Sequence, residues 1–309
     1  MPDEDSQHFF ILSLDGGGAK GMYTLGVLKE VERLLRRPIH EHFRLIYGTS
    51  TGSIIGSLLA LGESVESIAA KYFEMVPQIM RHCTRSGRSR ALIHNVQKVF
   101  ADRTFDAFLT NVGIVATHYD YRKPMIFKTS VDQAYGRTST FRPGFGCKIA
   151  DAVVASCSAF PFFERCEIVT ENQGSPELLD GGFVANNPTL FALSDALKGF
   201  HIPRERIRIL SIGVGHYPEP RSNWLKDQVI RWWPFQLIEM TFSINTNTVE
   251  QIRLLLFPDI TVVRIDDAFT DEQYSTNFLE SDLKKLEKMK QLGRESFAIK
   301  EQTIRSMLL

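Results

Sequence analysis

The sequence predicts a three-layer α/β/α sandwich around a mainly parallel sheet. Short apolar runs alternate with amphipathic helical segments along the chain, the signature of strands covered on both faces by helices. Three of those runs end in glycine-bearing turns, at residues 15–21, 48–52 and 180–182. In an open α/β sheet, ligands gather where strands end in this way. No internal repeat, low-complexity tract or long linker divides the 309 residues. They read as one domain over 1–309, with its motifs in a core at 9–215 and an extension at 216–309 packed on it.

Residues 9–14 form an apolar run that reads as a buried first strand. A helix follows the first glycine turn, with Leu25, Leu28, Val31 and Leu35 on one face and Pro38 as its stop. Residues 43–47 are the second strand, leading into a helix whose Gly52, Gly56 and Ala60 recur every fourth position. Such a small-residue face lets a helix press close to a sheet. Glu63-Ser64 opens another helix reaching about Met75. In residues 77–104, Arg81, His82, Arg85, Arg88 and Arg90 crowd around Ser86-Gly87, read as a loop before a helix at 91–100. A ligand site for anions and an ordinary solvated face fit that stretch equally well.

Residues 112–118 and 125–129 read as two more strands, and 149–156 as a short helix of small residues. Asn187 suits an N-cap with Pro188 at the first helical position, for a helix running to Gly199. A strand at 207–212 ends in Gly213-Val214-Gly215-His216. Residues 224–257 read as helical and aromatic-rich, broken near Pro234, and 260–265 as a late strand. An amphipathic segment at 277–306 carries Leu279, Leu283, Leu286 and Met289 on one stripe. His40 and His42, beside the helix-stopping Pro38, read as exposed, and no metal-ligand spacing is present.

Composition narrows the function classes. Formal net charge is zero, so no global field draws in DNA or RNA. The four cysteines show no C-x-x-C pair and read as free thiols in a reducing cytoplasm. No signal segment opens the sequence, and no apolar run approaches the roughly 20 residues that span a bilayer. Action on a membrane would then be peripheral, from the cytoplasmic side of the inner membrane.

The stretch with the most chemistry is Gly48-Thr49-Ser50-Thr51-Gly52, between a strand and a helix. That order suits a nucleophile elbow, which exposes a serine on a sharp turn with a helix N-terminus behind it. A nucleophilic serine needs a base and donors for the oxyanion. Asp180 offers a carboxylate on its own turn, and the Gly16-Gly17-Gly18 turn offers N–H groups unhindered by side chains. His216 lies beyond Asp180 in the chain, and a Ser50–Asp180–His216 triad in a soluble carboxylesterase is an alternative. The first glycine turn lacks the Gly-Lys-Ser/Thr of a nucleoside-triphosphate loop. It fits G-x-G-x-x-G, but no acidic residue ends a second strand about 20 residues on, as a dinucleotide site asks.

Taken together, Asp15-Gly16-Gly17-Gly18-Ala19-Lys20-Gly21, Gly48-Thr49-Ser50-Thr51-Gly52, Ala155-Ser156-Cys157-Ser158-Ala159-Phe160-Pro161 and Asp180-Gly181-Gly182 resemble the patatin-like phospholipase family in order and spacing. The resemblance implies a Ser50–Asp180 dyad without histidine and an oxyanion hole at Gly16, Gly17 and Gly18. Lys20, Gly48, Gly52, Gly181 and Gly182 would be the supporting motif positions. Many members carry arginine where this chain has Lys20; the charge is kept and the planar fork is lost. It implies hydrolysis of acyl esters in membrane phospholipids, with no cofactor. A catalytically silent lipid-binding module is the competing class, and intact Ser50 and Asp180 argue against it.

In size and layout the chain is similar to bacterial members that serve cyclic-nucleotide-triggered anti-phage defence by degrading the membrane. That similarity implies a cyclic di- or oligonucleotide activator and, with it, assembly into a homo-oligomer as one route to activation. The ligand would need cations for its phosphates and flat groups for its bases. Arg81, Arg85 and Arg88 are candidates for the first, and Trp224, Trp232 or Trp233 for the second.

Overall fold

The computed structural model describes residues 8–172, 174–219 and 233–309. Eight strands form one sheet: β1 (Phe9–Leu14), β2 (Leu45–Thr49), β3 (Asn111–His118), β4 (Lys123–Lys128), β5 (Cys166–Glu167), β6 (Glu177–Asp180), β7 (Ile207–Ile212) and β8 (Thr261–Ile265). Five of them, in the order β3-β2-β1-β7-β8, run parallel. The sheet is mixed, because β4 and β6 both pair antiparallel with β3. Side chains alternate across it. Leu12, Leu14, Ile46 and Ile114 enter one buried cluster, and Ile11, Leu45, Tyr47 and Val115 enter the other. Two filled faces make the three layers.

The helices are α1 (Gly21–Leu35), α2 (Ile39–His42), α3 (Thr51–Ala60), α4 (Val65–Met80), α5 (Arg85–Phe100), α6 (Ile149–Ser156), α7 (Gly182–Ala185), α8 (Thr189–Ser194), α9 (Trp233–Leu256) and α10 (Leu283–Leu308). One register places the site. β4 occupies one edge of β3 from Gly113 to His118. The other edge is shared: β2 pairs with it as far as Val115↔Thr49, and β6 takes over at Ala116↔Asp180. Two strands running toward each other therefore meet end to end, one delivering residue 50 and the other residue 180.

Several local expectations shift. α4 continues to Met80, with Pro77 in its last turn. α5 begins at Arg85, not near Ala91, because the Thr84 hydroxyl accepts the Gly87 N–H at 3.1 Å and caps it. Arg85, Arg88 and Arg90 thus lie on a helix and not in a loop. Asp282 caps α10 by accepting the Lys284 and Lys285 N–H groups at 2.8 and 3.1 Å. Leu279 falls outside that helix and Leu283 is exposed, so the buried stripe runs through Leu286, Met289 and Leu292. His42 is buried, stacked on Phe10 at 4.2 Å; burial and the neighbouring Arg37 push its imidazole down to about 4. Pro234 lies in the first turn of α9, and Trp224 and Trp232 lie outside the described residues.

Candidate active site

Ser50 sits between β2 and α3 with φ 52° and ψ −122°, a conformation that costs an L-residue energy and persists only where its surroundings impose it. The surroundings are explicit. A Cβ on Gly48 would lie 2.2 Å from the Gly52 carbonyl oxygen, and one on Gly52 would lie 2.3 Å from that of Leu14. Only glycines let α3 fold back so tightly on the sheet. The Ser50 N–H donates to Ser156 Oγ at 2.8 Å, and Ser156 in turn donates to the Val115 carbonyl at 2.6 Å. The turn is thereby pinned to β3 from α6.

Ser50 Oγ donates to Asp180 Oδ2 at 2.7 Å. The other carboxylate oxygen, Oδ1, accepts the Gly182 N–H at 2.7 Å, which fixes the carboxylate plane. The Asp180 backbone is equally constrained: its N–H donates to the Ser158 carbonyl at 3.0 Å and its carbonyl accepts from Thr117 Oγ1 at 2.8 Å. Asp180 has no exposed surface. Burial pushes its carboxyl up to about 7, against the opposing pull of the two hydrogen bonds. A carboxylate so placed is a base matched to neutral pH.

The glycine turn passes directly over the serine. A Cβ on Gly16 would stand 3.1 Å from Ser50 Cβ and 2.6 Å from Asn186 Oδ1. The Gly16 N–H is engaged with the Asn186 carbonyl at 3.1 Å. The N–H groups of Gly17 and Gly18 have no acceptor among the described residues. Asn186 Oδ1 is itself buried without a partner, facing the same space.

An arginine that the sequence reading missed holds this turn. Arg264, on β8, forks onto Asp15, with Nη1–Oδ1 2.9 Å and Nη2–Oδ2 2.5 Å. It also donates to Asp266 Oδ2 at 2.6 Å and to Ser211 Oγ at 2.9 Å. A cation in the middle of an otherwise apolar strand, Thr261-Val262-Val263-Arg264-Ile265, is the signal that could have found it. Arg264→Met should leave Asp15, which is buried, and Asp266, which is largely so, without the guanidinium that bridges them. We expect a loss of about 3–5 kcal/mol in stability, read from urea unfolding at pH 7. Unchanged unfolding would show that the turn is held by other contacts.

The site opens into a pocket whose apolar wall includes Met75, Val76, Ile79, Leu92, Phe163 and Phe278. α9 forms another wall with Glu239, Phe242 and Ser243. Lys20 Nζ donates to Glu239 Oε1 at 2.9 Å, tying α9 to the glycine turn. His216 also borders the pocket, but its Nε2 meets Asp266 Oδ2 at 3.2 Å, and no imidazole stands between Ser50 and Asp180. The Asp266 hydrogen bond raises the pKa of His216.

Arg81, which follows α4, and Arg85 and Arg88, on α5, do not line the pocket. Arg81 and Arg85 are exposed. Arg88 spends its guanidinium on three carbonyls, those of His82 at 2.9 Å, Cys83 at 3.3 Å and Phe162 at 2.9 Å.

Residues 12–193 match the patatin-like phospholipase family. The chain belongs to that family. Among its relatives, a cUMP-AMP-activated phospholipase of Escherichia coli is 49% identical over 97% of this chain and 93% of its own length. A cGAMP-activated phospholipase of Pseudomonas aeruginosa is 26% identical over 86% of this chain and 80% of its own. Among solved structures, VipD from Legionella pneumophila superposes with a TM-score of 0.51 at 11% identity, covering 97% of this chain and 67% of that one. The patatin-like fold is thus shared well beyond recognisable sequence similarity.

Proposed function

We propose that this chain hydrolyses acyl esters of membrane phospholipids through a Ser50–Asp180 dyad, under the control of a cyclic nucleotide. The observation that carries the catalytic reading is the 2.7 Å bond from Ser50 Oγ to Asp180 Oδ2 at a strained elbow. Asp180 takes the Ser50 proton as Oγ attacks the ester carbonyl carbon. The oxyanion is received by the free N–H groups of Gly17 and Gly18 and by the N-terminus of α3. As the tetrahedral intermediate collapses, Asp180 returns its proton to the departing alkoxide, leaving an acyl-Ser50. Water then attacks that ester while Asp180 takes its proton. Collapse releases the fatty acid, and Ser50 regains its hydrogen.

The apolar wall suits an acyl chain. Leu237, Met240 and Ile244 stand exposed together on the face of α9 turned away from its pocket wall, and suit contact with a lipid layer. No helix among the described residues is long and apolar enough to cross a membrane, so the enzyme would work peripherally, at the inner surface of the cytoplasmic membrane. Nucleotide control is supported by the name of the 49% identical relative.

The test is fatty-acid release from phosphatidylethanolamine–phosphatidylglycerol vesicles by the purified chain, with and without cUMP-AMP or cGAMP, beside a soluble short-chain ester. One nucleotide should raise vesicle hydrolysis at least ~10-fold, within the usual range of allosteric coupling. Ester cleavage with no release from vesicles under any condition would overturn the phospholipase reading. Full release without nucleotide, unchanged on adding either, would overturn the control.

A further inference from the structure

We infer that the cyclic nucleotide binds on a strip of alternating cations and aromatic rings formed by Arg85, Phe160, Arg165, Tyr119 and Arg122, and acts on Asp180 through the loop that carries Phe160. This rests on the nucleotide control proposed above.

The strip is assembled from three separate parts of the chain. The Arg85 guanidinium lies 5.2 Å from the Phe160 ring centroid, and that of Arg165 lies 5.9 Å from the same ring. Arg165 is also 4.3 Å from the Tyr119 ring, which Arg122 approaches at 5.8 Å. Lys123 continues the run at 4.7 Å from Tyr121. Such contacts occur about once per 70–80 residues, so four among the five residues of this strip is a concentration. The strip faces water: Arg85, Phe160, Arg165 and Arg122 are exposed, and Tyr119 is half-buried between the two arginines that approach its ring.

Its charges are mostly unspent. Arg165 pairs with Glu177 at 2.9 Å. Arg85, Arg122 and Lys123 have no acidic partner among the described residues. In a chain of zero net charge, these cations beside flat rings make a local surface for a ligand with two phosphates and two bases. Bases stack on aromatic and guanidinium planes, and phosphates take the remaining guanidinium N–H groups. A lipid headgroup would use the cations and leave the rings idle. The first turn of α5, which starts at Arg85, adds its dipole on the same side.

The loop between α6 and β5 connects this strip to the dyad. Its Ser158 carbonyl accepts the Asp180 N–H at 3.0 Å, and the Ser156 carbonyl accepts that of Gly181 at 3.2 Å. Ala159 and Phe163 line the catalytic pocket, and Phe160, between them, carries the strip. α5 grips the far side: Arg88 Nη1 donates to the Phe162 carbonyl at 2.9 Å, and Ser89 Oγ accepts the Glu164 N–H at 2.7 Å. A ligand joining Arg85 on α5 to Arg122 beyond β3 would clamp Phe160. It would thereby set the backbone that positions Asp180 and the pocket wall. Arg88 is then a brace within the linkage, not a phosphate ligand.

The experiment is calorimetric titration of cUMP-AMP and cGAMP into the wild type, Arg85→Ala/Arg122→Ala, Tyr119→Leu and Tyr119→Phe, each checked for fold by circular dichroism. The Arg85/Arg122 double variant and Tyr119→Leu should weaken binding at least ~10-fold, the scale of one lost stacking or charged contact. Tyr119→Phe, which keeps the ring, should bind as the wild type does. Folded variants that bind with wild-type affinity would overturn the strip and leave nucleotide control standing. A wild type that binds neither nucleotide would overturn both. A parallel sedimentation with phosphatidylglycerol vesicles completes the test. Loss of vesicle binding with nucleotide affinity retained would make the strip a membrane contact and overturn the proposal.

Discussion

Ser50→Ala is expected to abolish ester hydrolysis in a protein that still folds. The loss should be at least ~10⁴-fold, because removing the nucleophile of such a site eliminates the covalent route and leaves only the binding pocket and oxyanion donors. The fold should survive because the elbow is set by backbone. Gly48, Gly52 and the Ser156 hydroxyl that accepts the residue-50 N–H are all unchanged. The cost falls on Asp180, whose Oδ2 loses its donor at a site with no solvent exposure. One buried hydrogen bond lost costs about 1–3 kcal/mol, and protonation of Asp180 limits it further. An alkyl fluorophosphonate that esterifies the wild-type serine should leave the variant unlabelled. More than trace activity, or labelling that persists at another serine, would remove Ser50 from the mechanism.

The elbow was legible because its constraint is local. G-x-S-x-G between an apolar run and a small-residue helix states which positions carry no side chain, and the clashes a Cβ would make at Gly48 and Gly52 are with backbone a few residues or one strand away. From its own residues Asp180 was visible only as a turn carboxylate, and its role as base came from the family resemblance of Asp180-Gly181-Gly182. What brings it to Ser50 is the sharing of one edge of β3 between β2 and β6, a register that no periodicity encodes. Arg264 is 249 residues from Asp15 along the chain, so the partnership that holds the glycine turn has no local trace beyond a cation in an apolar strand.

The sequence marks Arg81, Arg85 and Arg88 as cations and carries no sign of how each is used. Three backbone carbonyls absorb the Arg88 guanidinium, and carbonyls have no sequence signature. The rings that face Arg85 and Arg165 come from segments that propensity assigns only to turns. The tryptophans Trp224, Trp232 and Trp233 were natural candidates by composition, since indoles stack well. On the strip proposed above, the aromatic groups set beside arginines are Phe160 and Tyr119.

Asp180→Asn should lower kcat/KM by about 10²–10⁴-fold, the range for loss of a general base, and should also change two pH profiles. The side-chain amide can keep the Gly182 contact through its oxygen, but its NH₂ then meets Ser50 Oγ as a donor and the proton acceptor is gone. In the wild type, kcat/KM should rise with pH up to about 7, where the buried carboxyl becomes ionised, and level off above it. The variant should lack that rise. The stability profile runs the other way. Between an unfolded value of 3.8 and a folded value of about 7, the folded chain holds a proton that the unfolded chain has lost. Stability from this group is therefore full below about pH 4 and declines as pH rises to 7. The whole decline is on the order of 4 kcal/mol. Asparagine carries no such proton, so the variant should gain on the wild type in urea unfolding as pH increases across that window. His216→Ala should cost only a small part of the catalytic loss, since its imidazole is bonded to Asp266 and not to the dyad. If His216→Ala proved the more damaging of the two, and the wild-type acid limb survived in Asp180→Asn, the proton acceptor would be the imidazole, and the dyad would have to be given up for a triad.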